Sequence, residues 1–371
     1  MNSYAIYKRF RTLRKKSGMS QDDLSTAMCF NDRQTISAIE SGVRKISAEE
    51  LIVASQIFDV GLDFFTDPFR LVGDEGRFSW RQHEVNEEQL DAFQDVAGQW
   101  IAAYRYLSDL KDDIENPILP RLGLTTNSSF EEAQSDGEKI SRVFELGDIP
   151  AENLQSVIEN KLGVLVLYVD GIHGVSGAAC QLPELNTILI NRNEPIGRRN
   201  FDTAHELFHL LTWDAMPPMH LESENPTSKY EKRIEQLADN FASALLMPFR
   251  ILEIYWVKRG DSEIHQWLNN TAKELKVTSV ALKWRLINTG ILSNANGDKI
   301  DDEQLRYNGY KEENTKEEKP HIFSKKFMEL VGWSIEQGHL SVRKAAKTMG
   351  MTIDDLSKLF KQYELEPPFE F

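Results

Sequence analysis

Two histidines and a glutamate lie close together in the segment FDTAHELFH, residues 201–209. His205 and His209 are four residues apart, so on a helix they lie one turn apart on the same face. Two imidazoles in this arrangement can bind one zinc ion from the same side. Glu206 lies between them and can reach a water molecule at that ion without being a ligand. The spacing therefore predicts a zinc site on a helix, with Glu206 as the catalytic base.

A second segment, IEQLADNFASALL, contains the expected third ligand. Zinc sites that carry out hydrolysis use three protein ligands and leave the fourth position to water. Glu235 is the candidate, because its segment reads as a helix that can pack beside the first. Asp239, one turn later, can accept a hydrogen bond from the second ring nitrogen of a ligand histidine. The alternative is a chance H-E-x-x-H match on an ordinary amphipathic helix, and the E-x-x-A-D sequence that ends in Leu-Leu-Met-Pro argues against it.

A protein group that stabilises an oxyanion usually assists this chemistry. His173, His220 and Tyr230 are the candidates, although residues of these types lie more often on surfaces or in loops. The sequence does not assign a substrate pocket.

The chain has 371 residues, which is enough for two or three domains, and its 41% hydrophobic and 27% charged content is that of a globular protein. No apolar run approaches about 20 residues, and no apolar segment follows the basic N-terminus, so we expect a cytoplasmic protein. Cys29 and Cys180 fit a reducing compartment. The net charge is −15, but residues 1–45 carry nine Lys/Arg against four Asp/Glu, a local +5 that indicates an anionic partner at this end.

Residues 1–70 read as five short helices with a tight turn between the second and the third, as in a helix-turn-helix DNA-binding domain. The third helix is predicted at Arg33–Glu40 and offers polar side chains that can reach base edges. The predicted DNA contacts are Arg33, Gln34, Thr35 and Ser37 for bases, with Gln21, Arg44 and Lys45 for phosphates. The alternative is a helical bundle whose polar face is only solvated.

The rest of the chain divides by composition. We expect a helical connector at 71–135, the domain with the metal helices at 136–293, a flexible linker at 294–320 and a C-terminal helical module at 321–371. Within the metal domain, Val164–Val169 and Thr187–Asn191 read as strands and DGIHGVSGAA as a loop. The expected fold class is mainly α with a small β-sheet (α+β). The strand edge beside the metal helices could bind an extended peptide by strand addition. The C-terminal module is equally compatible with a lid, an interaction module or a second DNA reader.

Two sets of motifs resemble known families. The string SQDDLSTAM…RQTISAIESGVRKIS is similar to the phage-repressor-type (Xre-like) helix-turn-helix family. The segments DGIHGVSGA, ILINRNEPIGRRNFDTAHELFHLL and EQLADNFASALLMP resemble the ImmA/IrrE family of zinc metallopeptidases, and the two domains are known to occur together in this order. The resemblance departs from the usual pattern at three positions: Phe208 replaces a glycine, Asp239 an asparagine and Asn200 an arginine. Phe208 is expected to narrow the cleft.

The resemblance implies a zincin-like metallopeptidase domain and a zinc endopeptidase, with His205, His209 and Glu235 as ligands and Glu206 as the base. It also implies a DNA-binding transcriptional regulator that binds an operator-like duplex and cleaves a repressor or antitoxin-like partner in a stress, mobile-element or defence response. The alternatives are a regulator whose zinc domain senses a signal without cleaving anything, and an antitoxin that acts by binding. Dimerisation would strengthen DNA binding, and the sequence leaves it open.

Overall fold

The computed structural model of the chain describes residues 3–69, 71, 77–82, 87–111, 119–170, 175–182, 185–217, 221–223, 228–305 and 319–370. The chain forms two compact units. Unit 1 comprises residues 1–77, 91–114 and 326–371, and unit 2 comprises residues 78–90 and 115–325.

The helices and strands have the following bounds in chain order: α1 Ser3–Lys16, α2 Gln21–Ala27, α3 Arg33–Glu40, α4 Ala48–Ile57, α5 Leu62–Thr66, β1 Arg77–Gln82, α6 Glu87–Lys111, α7 Phe130–Val143, α8 Pro150–Asn160, β2 Leu165–Val169, β3 Val175–Gln181, β4 Asn186–Asn191, α9 Ile196–Thr212, β5 Leu221–Ser223, α10 Lys229–Leu246, α11 Phe249–Arg259, α12 Ile264–Leu275, α13 Ser279–Asn288, α14 Asn294–Gly297, α15 Lys325–Glu336, α16 Val342–Met349 and α17 Ile353–Gln362. The prediction of a mainly helical fold with a small sheet is confirmed.

The first five helices form a small domain with its own core. Ser20 and Ser47 cap α2 and α4 through capping boxes, and Asp32 caps α3, which fixes where each of these helices begins. Their apolar faces enclose a core that includes the fully buried Phe10, Leu24, Ile36 and Ile39. The helix-turn-helix arrangement of α2 and α3 is the one that the sequence predicts.

The C-terminal helices belong to the same compact unit as the N-terminal domain. Lys344 on α16 forms an ion pair with Asp67 at 2.7 Å. On α6, the Trp100 indole N–H donates to the carbonyl of Thr348 at 3.1 Å. Residues 326–371 are therefore tied both to the end of the five-helix domain and to α6.

Unit 2 is built around a five-stranded sheet with the order β2-β4-β3-β1-β5. β2 runs parallel to β4, β3 runs antiparallel to β4, and β1 runs parallel to β5. The prediction of a loop through DGIHGVSGAA is wrong from Val175 onward, where β3 begins, while residues 171–174 lie outside the described residues. The sequence VSGAACQ is poor in the β-branched and aromatic residues that favour strands, so its pairing with β4 overrides the local preference.

The helices α9 and α10 pack against each other and, together with α7, form the main core of unit 2. Gly137 lets α7 approach α10 closely, because a Cβ at this position would lie 2.5 Å from the carbonyl oxygen of Phe241. Phe208, expected to narrow the cleft, is instead fully buried in this core, with its ring 5.5 Å from that of Phe241. An aromatic ring at position 208 therefore fills the space between the two helices.

Residues 294–305 are folded, although they lie at the start of the predicted flexible linker. They contain α14 and a short 3-10 turn, and Ile300 and Leu305 are buried in the core of unit 2. Lys283, itself buried, donates to the carbonyl of Ile300 at 3.3 Å and to the carboxylate of Asp302 at 2.8 Å. Two buried apolar residues and the bonds from Lys283 thus hold this polar stretch against unit 2. Residues 306–318 of the predicted linker lie outside the described residues.

Candidate functional site

His205 and His209 face each other on α9. Both side chains are fully buried, and their Nε2 atoms are 3.0 Å apart. Four residues of helix separate them, so the shared face follows from the helical period. The structure thus brings together the two histidines that the sequence singled out.

Glu235 on α10 completes a group of three potential metal ligands. Its Oε2 lies 3.2 Å from the Nε2 atom of His205, and its Oε1 lies 3.6 Å from the Nε2 atom of His209. Ligand atoms at zinc-like bond lengths in a tetrahedron are about 3.3–3.5 Å apart. The three side chains therefore have the donor types and separations that suit one zinc ion, and they form the His–His–Glu group that could hold a metal.

Asp239 lies one turn after Glu235 and contacts the other side of the His205 ring. Its Oδ1 is 3.0 Å from the Nδ1 atom of His205. A hydrogen bond donated from Nδ1–H to this carboxylate leaves the Nε2 lone pair available to a metal. Asp239 is 46% exposed, so this supporting carboxylate reaches solvent while the histidines do not.

Glu206 is fully buried on α9, next to His205. It lies against β3, where a Cβ on Gly177 would be 3.2 Å from the Oε1 atom of Glu206 and 3.2 Å from the carbonyl oxygen of Leu189. Glycine at position 177 therefore leaves the space that the Glu206 carboxylate uses. The sequence reasoning missed this role, since it placed Gly177 in a loop.

The structure describes one of the three candidates for oxyanion stabilisation, Tyr230. His173 and His220 lie outside the described residues. Tyr230 is in the first turn of α10 with 47% of its surface exposed. It lies five residues before Glu235 and hence on a different face of the helix.

Four of the predicted DNA contacts lie on α3 or just before α4 with exposed side chains: Arg33, Gln34, Ser37 and Lys45. Thr35 is half-buried, and its backbone N–H donates to the Asp32 cap at 3.0 Å. The outward face of α3 is thus polar and open.

Gln21 and Arg44 already have partners within the domain. The Gln21 amide donates to Glu40 at 2.9 Å, and Glu40 also binds Arg14. The Arg44 guanidinium donates two hydrogen bonds to Glu50, at 2.6 and 3.1 Å. These bonds raise the pKa of Arg44 and lower that of Glu50, although burial acts in the opposite direction on each group. A phosphate at either position would have to share the side chain with a carboxylate.

Comparisons with known families agree with this architecture. Residues 10–65 match a helix-turn-helix family model, and residues 159–286 match the M78 peptidase model, described as the IrrE N-terminal-like domain. No curated protein gives a significant match. The predicted order of the two domains, with the helix-turn-helix first, is confirmed. Within the described part of the chain, no helix combines the length and apolarity needed to cross a membrane.

Proposed function

Because a helix-turn-helix domain precedes an IrrE N-terminal-like peptidase domain in this chain, we propose a DNA-binding regulator that is also a zinc-dependent endopeptidase. Its substrate is a partner protein of the repressor or antitoxin type. The observation that carries the proposal is the convergence of His205, His209 and Glu235 next to the buried Glu206. The matched peptidase domain covers all four residues.

A zinc ion held by these three side chains would polarise the scissile carbonyl and lower the pKa of a bound water toward about 7. Glu206 takes a proton from the attacking water and passes it to the nitrogen of the leaving amine. Asp239 holds the Nδ1 proton of His205 and thereby keeps the ring in the tautomer that can act as a ligand. The burial of Glu206 and both histidines limits competing water around the transferred proton.

The DNA-binding part of the proposal assigns base contacts to the exposed side chains of α3, Arg33 and Gln34 foremost. Lys45 and the other Lys/Arg of residues 1–45 supply the attraction to phosphates. In this proposal, the helix-turn-helix domain directs the peptidase to an operator-like site.

The proposal is tested by a degradation assay against proteins encoded beside this protein's own gene, with added Zn²⁺. Glu206→Gln keeps the size of the side chain but removes the base, so cleavage should fall by at least about a hundredfold while the metal remains bound. Glu253→Gln, an exposed carboxylate on α11, is the matched control and should cleave like the wild type. Equal cleavage by the Glu206→Gln and wild-type proteins would contradict the assigned role of Glu206. Metal binding and DNA binding without cleavage of any partner would instead indicate the regulator that senses a signal.

A further inference from the structure

The strand β3 brings a backbone edge to the candidate site. Gly177, the third residue of this strand, lies against Glu206, and one edge of β3 is paired with β4, where Gly177 is opposite Ile190. A strand has a second edge with its own row of N–H and C=O groups. In this chain the second edge of β3 is hydrogen-bonded to β1, residues Arg77–Gln82.

β1 is also held on its other side. It pairs in parallel with β5, with Trp80 opposite Leu221 and Gln82 opposite Ser223. β5 belongs to the connection between α9 and α10, the two helices that carry the potential metal ligands. An extended segment of the chain is therefore bracketed by β3, which borders Glu206, and by the connection between the ligand-bearing helices.

At the opposite end of the sheet, the outer edge of β2 is also occupied, but by a different segment. The outer edge of β2 is engaged by the segment before α15, where the Tyr168 N–H donates to the carbonyl of Ile322 at 3.0 Å. This edge lies two strands away from β3. Of β2 and β3, β3 is the strand that lies against the Glu206 carboxylate, at Gly177.

An extended peptide that adds to a strand needs the full row of backbone groups along one edge, so one edge accepts one partner at a time. We infer that β1 occupies the place of the substrate backbone on β3, so that residues 77–82 keep the peptidase centre closed until they are released. The inference rests on the proposed peptidase function, because it identifies the regulation of the same site. It also indicates the substrate class: an extended peptide that replaces a segment with two aromatic and two basic residues, RFSWRQ.

The position of β1 in the chain gives a covalent path by which a change in the helix-turn-helix domain can act on its release. The chain leaves α5 at Thr66 and enters β1 at Arg77, so β1 follows the helix-turn-helix domain directly along the sequence. β5, its second partner, is only three residues long. Short paired segments of this kind open at a lower free energy than the core of a domain.

A peptide-binding experiment tests the inference without requiring catalysis. The probe is a fluorescein-labelled synthetic peptide of residues 76–84, followed by anisotropy with the full-length Glu206→Gln protein and added Zn²⁺. Proline removes a backbone N–H, and the N–H groups of adjacent strand residues point to opposite edges. One of the variants Ser79→Pro and Trp80→Pro therefore removes an N–H on the β3 side of β1, and the other removes one on the β5 side. If the form with β1 released makes up 0.1–10% of the parent protein, proline variants that release β1 fully should bind the peptide about 10- to 1000-fold more tightly.

Ser79→Ala is the matched control, since it alters the same side chain but keeps the N–H; it should bind the peptide as weakly as its parent. Hydrogen exchange of residues 175–181 provides a second readout. The proline variants should lose amide protection on β3, and the added peptide should restore it. Unchanged peptide affinity together with unchanged protection in both proline variants would overturn the inference.

A disulfide lock covers the case in which the proline variants fail to fold. Gln82→Cys with Ser223→Cys joins residues that are register partners on adjacent strands, in a Cys29→Ser background that removes the exposed thiol. The oxidised protein should exclude the peptide, and reduction of the same sample should return it to the affinity of the unlocked protein. Equal binding before and after reduction would also overturn the inference. A protein that binds the peptide as expected but cleaves no partner would count against the peptidase function and leave the role of β1 intact.

Discussion

At the scale of single residues, the candidate site depends on side chains that are not themselves ligands. Asp239 lies where it can accept a hydrogen bond from Nδ1 of His205, and only the tautomer with a free Nε2 can share an ion with His209. Each of the two patterns has the spacing of a single helix, so the sequence predicts that the two histidines share one face of α9 and that Glu235 and Asp239 lie one turn apart on α10. The contribution of Gly177 could not be predicted in this way, since it arises from the contact between a strand and a helix that are distant in sequence.

Gly177→Ala should reduce cleavage by about tenfold to a hundredfold without loss of metal. The added Cβ would lie 3.2 Å from the Oε1 atom of Glu206, so the carboxylate must move, and small displacements of a catalytic group carry penalties of this order. Steady-state cleavage and metal analysis on the same preparation measure both quantities. Gly123→Ala is the matched control, because a Cβ there meets nothing within 4 Å. Wild-type cleavage by Gly177→Ala would show that Glu206 tolerates the displacement or does not act as the base.

At the scale of helices and strands, the contact between α16 and the end of the five-helix domain can be tested through one ion pair. Burial acts to raise the pKa of Asp67, but hydrogen bonds from Lys344 and the Phe69 N–H, with the nearby positive charges, hold it below its ordinary value of 3.8. A lowered pKa in the folded state contributes stability above pH 3.8, and this contribution is lost as the pH falls through the folded pKa.

Lys344→Met should therefore lower the free energy of unfolding by no more than about 1 kcal/mol near neutral pH, because the pair is partly solvated. The difference from the wild type should shrink as the pH falls below 3.8. Urea denaturation of the full chain at a series of pH values measures it, with Lys347→Met, an exposed residue of the same helix, as the control. A deficit that stays constant with pH would assign the effect to packing of the lysine stem and not to the ion pair.

The elements differ in how far the sequence predicts them. Some elements can be predicted because their sequence signal is local. Examples are the helices with capping boxes, α2 and α4, and the strand rich in branched residues, β2. β3 is a strand by virtue of its partners, because its own sequence carries a weak strand signal. The burial of Ile300 and Leu305 could not be predicted either, because two apolar residues in a charged stretch do not indicate which core they pack into.

At the scale of the whole molecule, the charge is divided along the chain. Residues 1–45 carry +5 and the remainder carries −20, so the field of most of the chain repels DNA. We predict that DNA binding and peptide access are coupled through this field and through the covalent path from α5 to β1. Linkage requires that operator DNA changes peptide affinity by the same factor by which the peptide changes DNA affinity.

The coupling is measured by titrating each ligand in the presence of the other, with the Glu206→Gln protein so that nothing is cleaved. Arg33→Ala, which removes an exposed side chain of α3, should weaken DNA binding and with it the effect of DNA on peptide affinity. Arg250→Ala removes the same charge from an exposed position in unit 2 and serves as the control. Identical affinities with and without the second ligand would mean that the two domains act independently.

The central claim is that His205, His209 and Glu235 hold one metal ion, and metal content per chain tests it most directly. The purified protein, dialysed against trace zinc and analysed by mass spectrometry of the metal, should contain about one zinc per chain, the stoichiometry of one three-ligand site. His205→Ala, His209→Ala and Glu235→Ala should each lose the ion, whereas Glu206→Gln and His265→Ala, a histidine outside the cluster, should keep it. Full zinc occupancy in the double variant His205→Ala, His209→Ala would contradict the assignment.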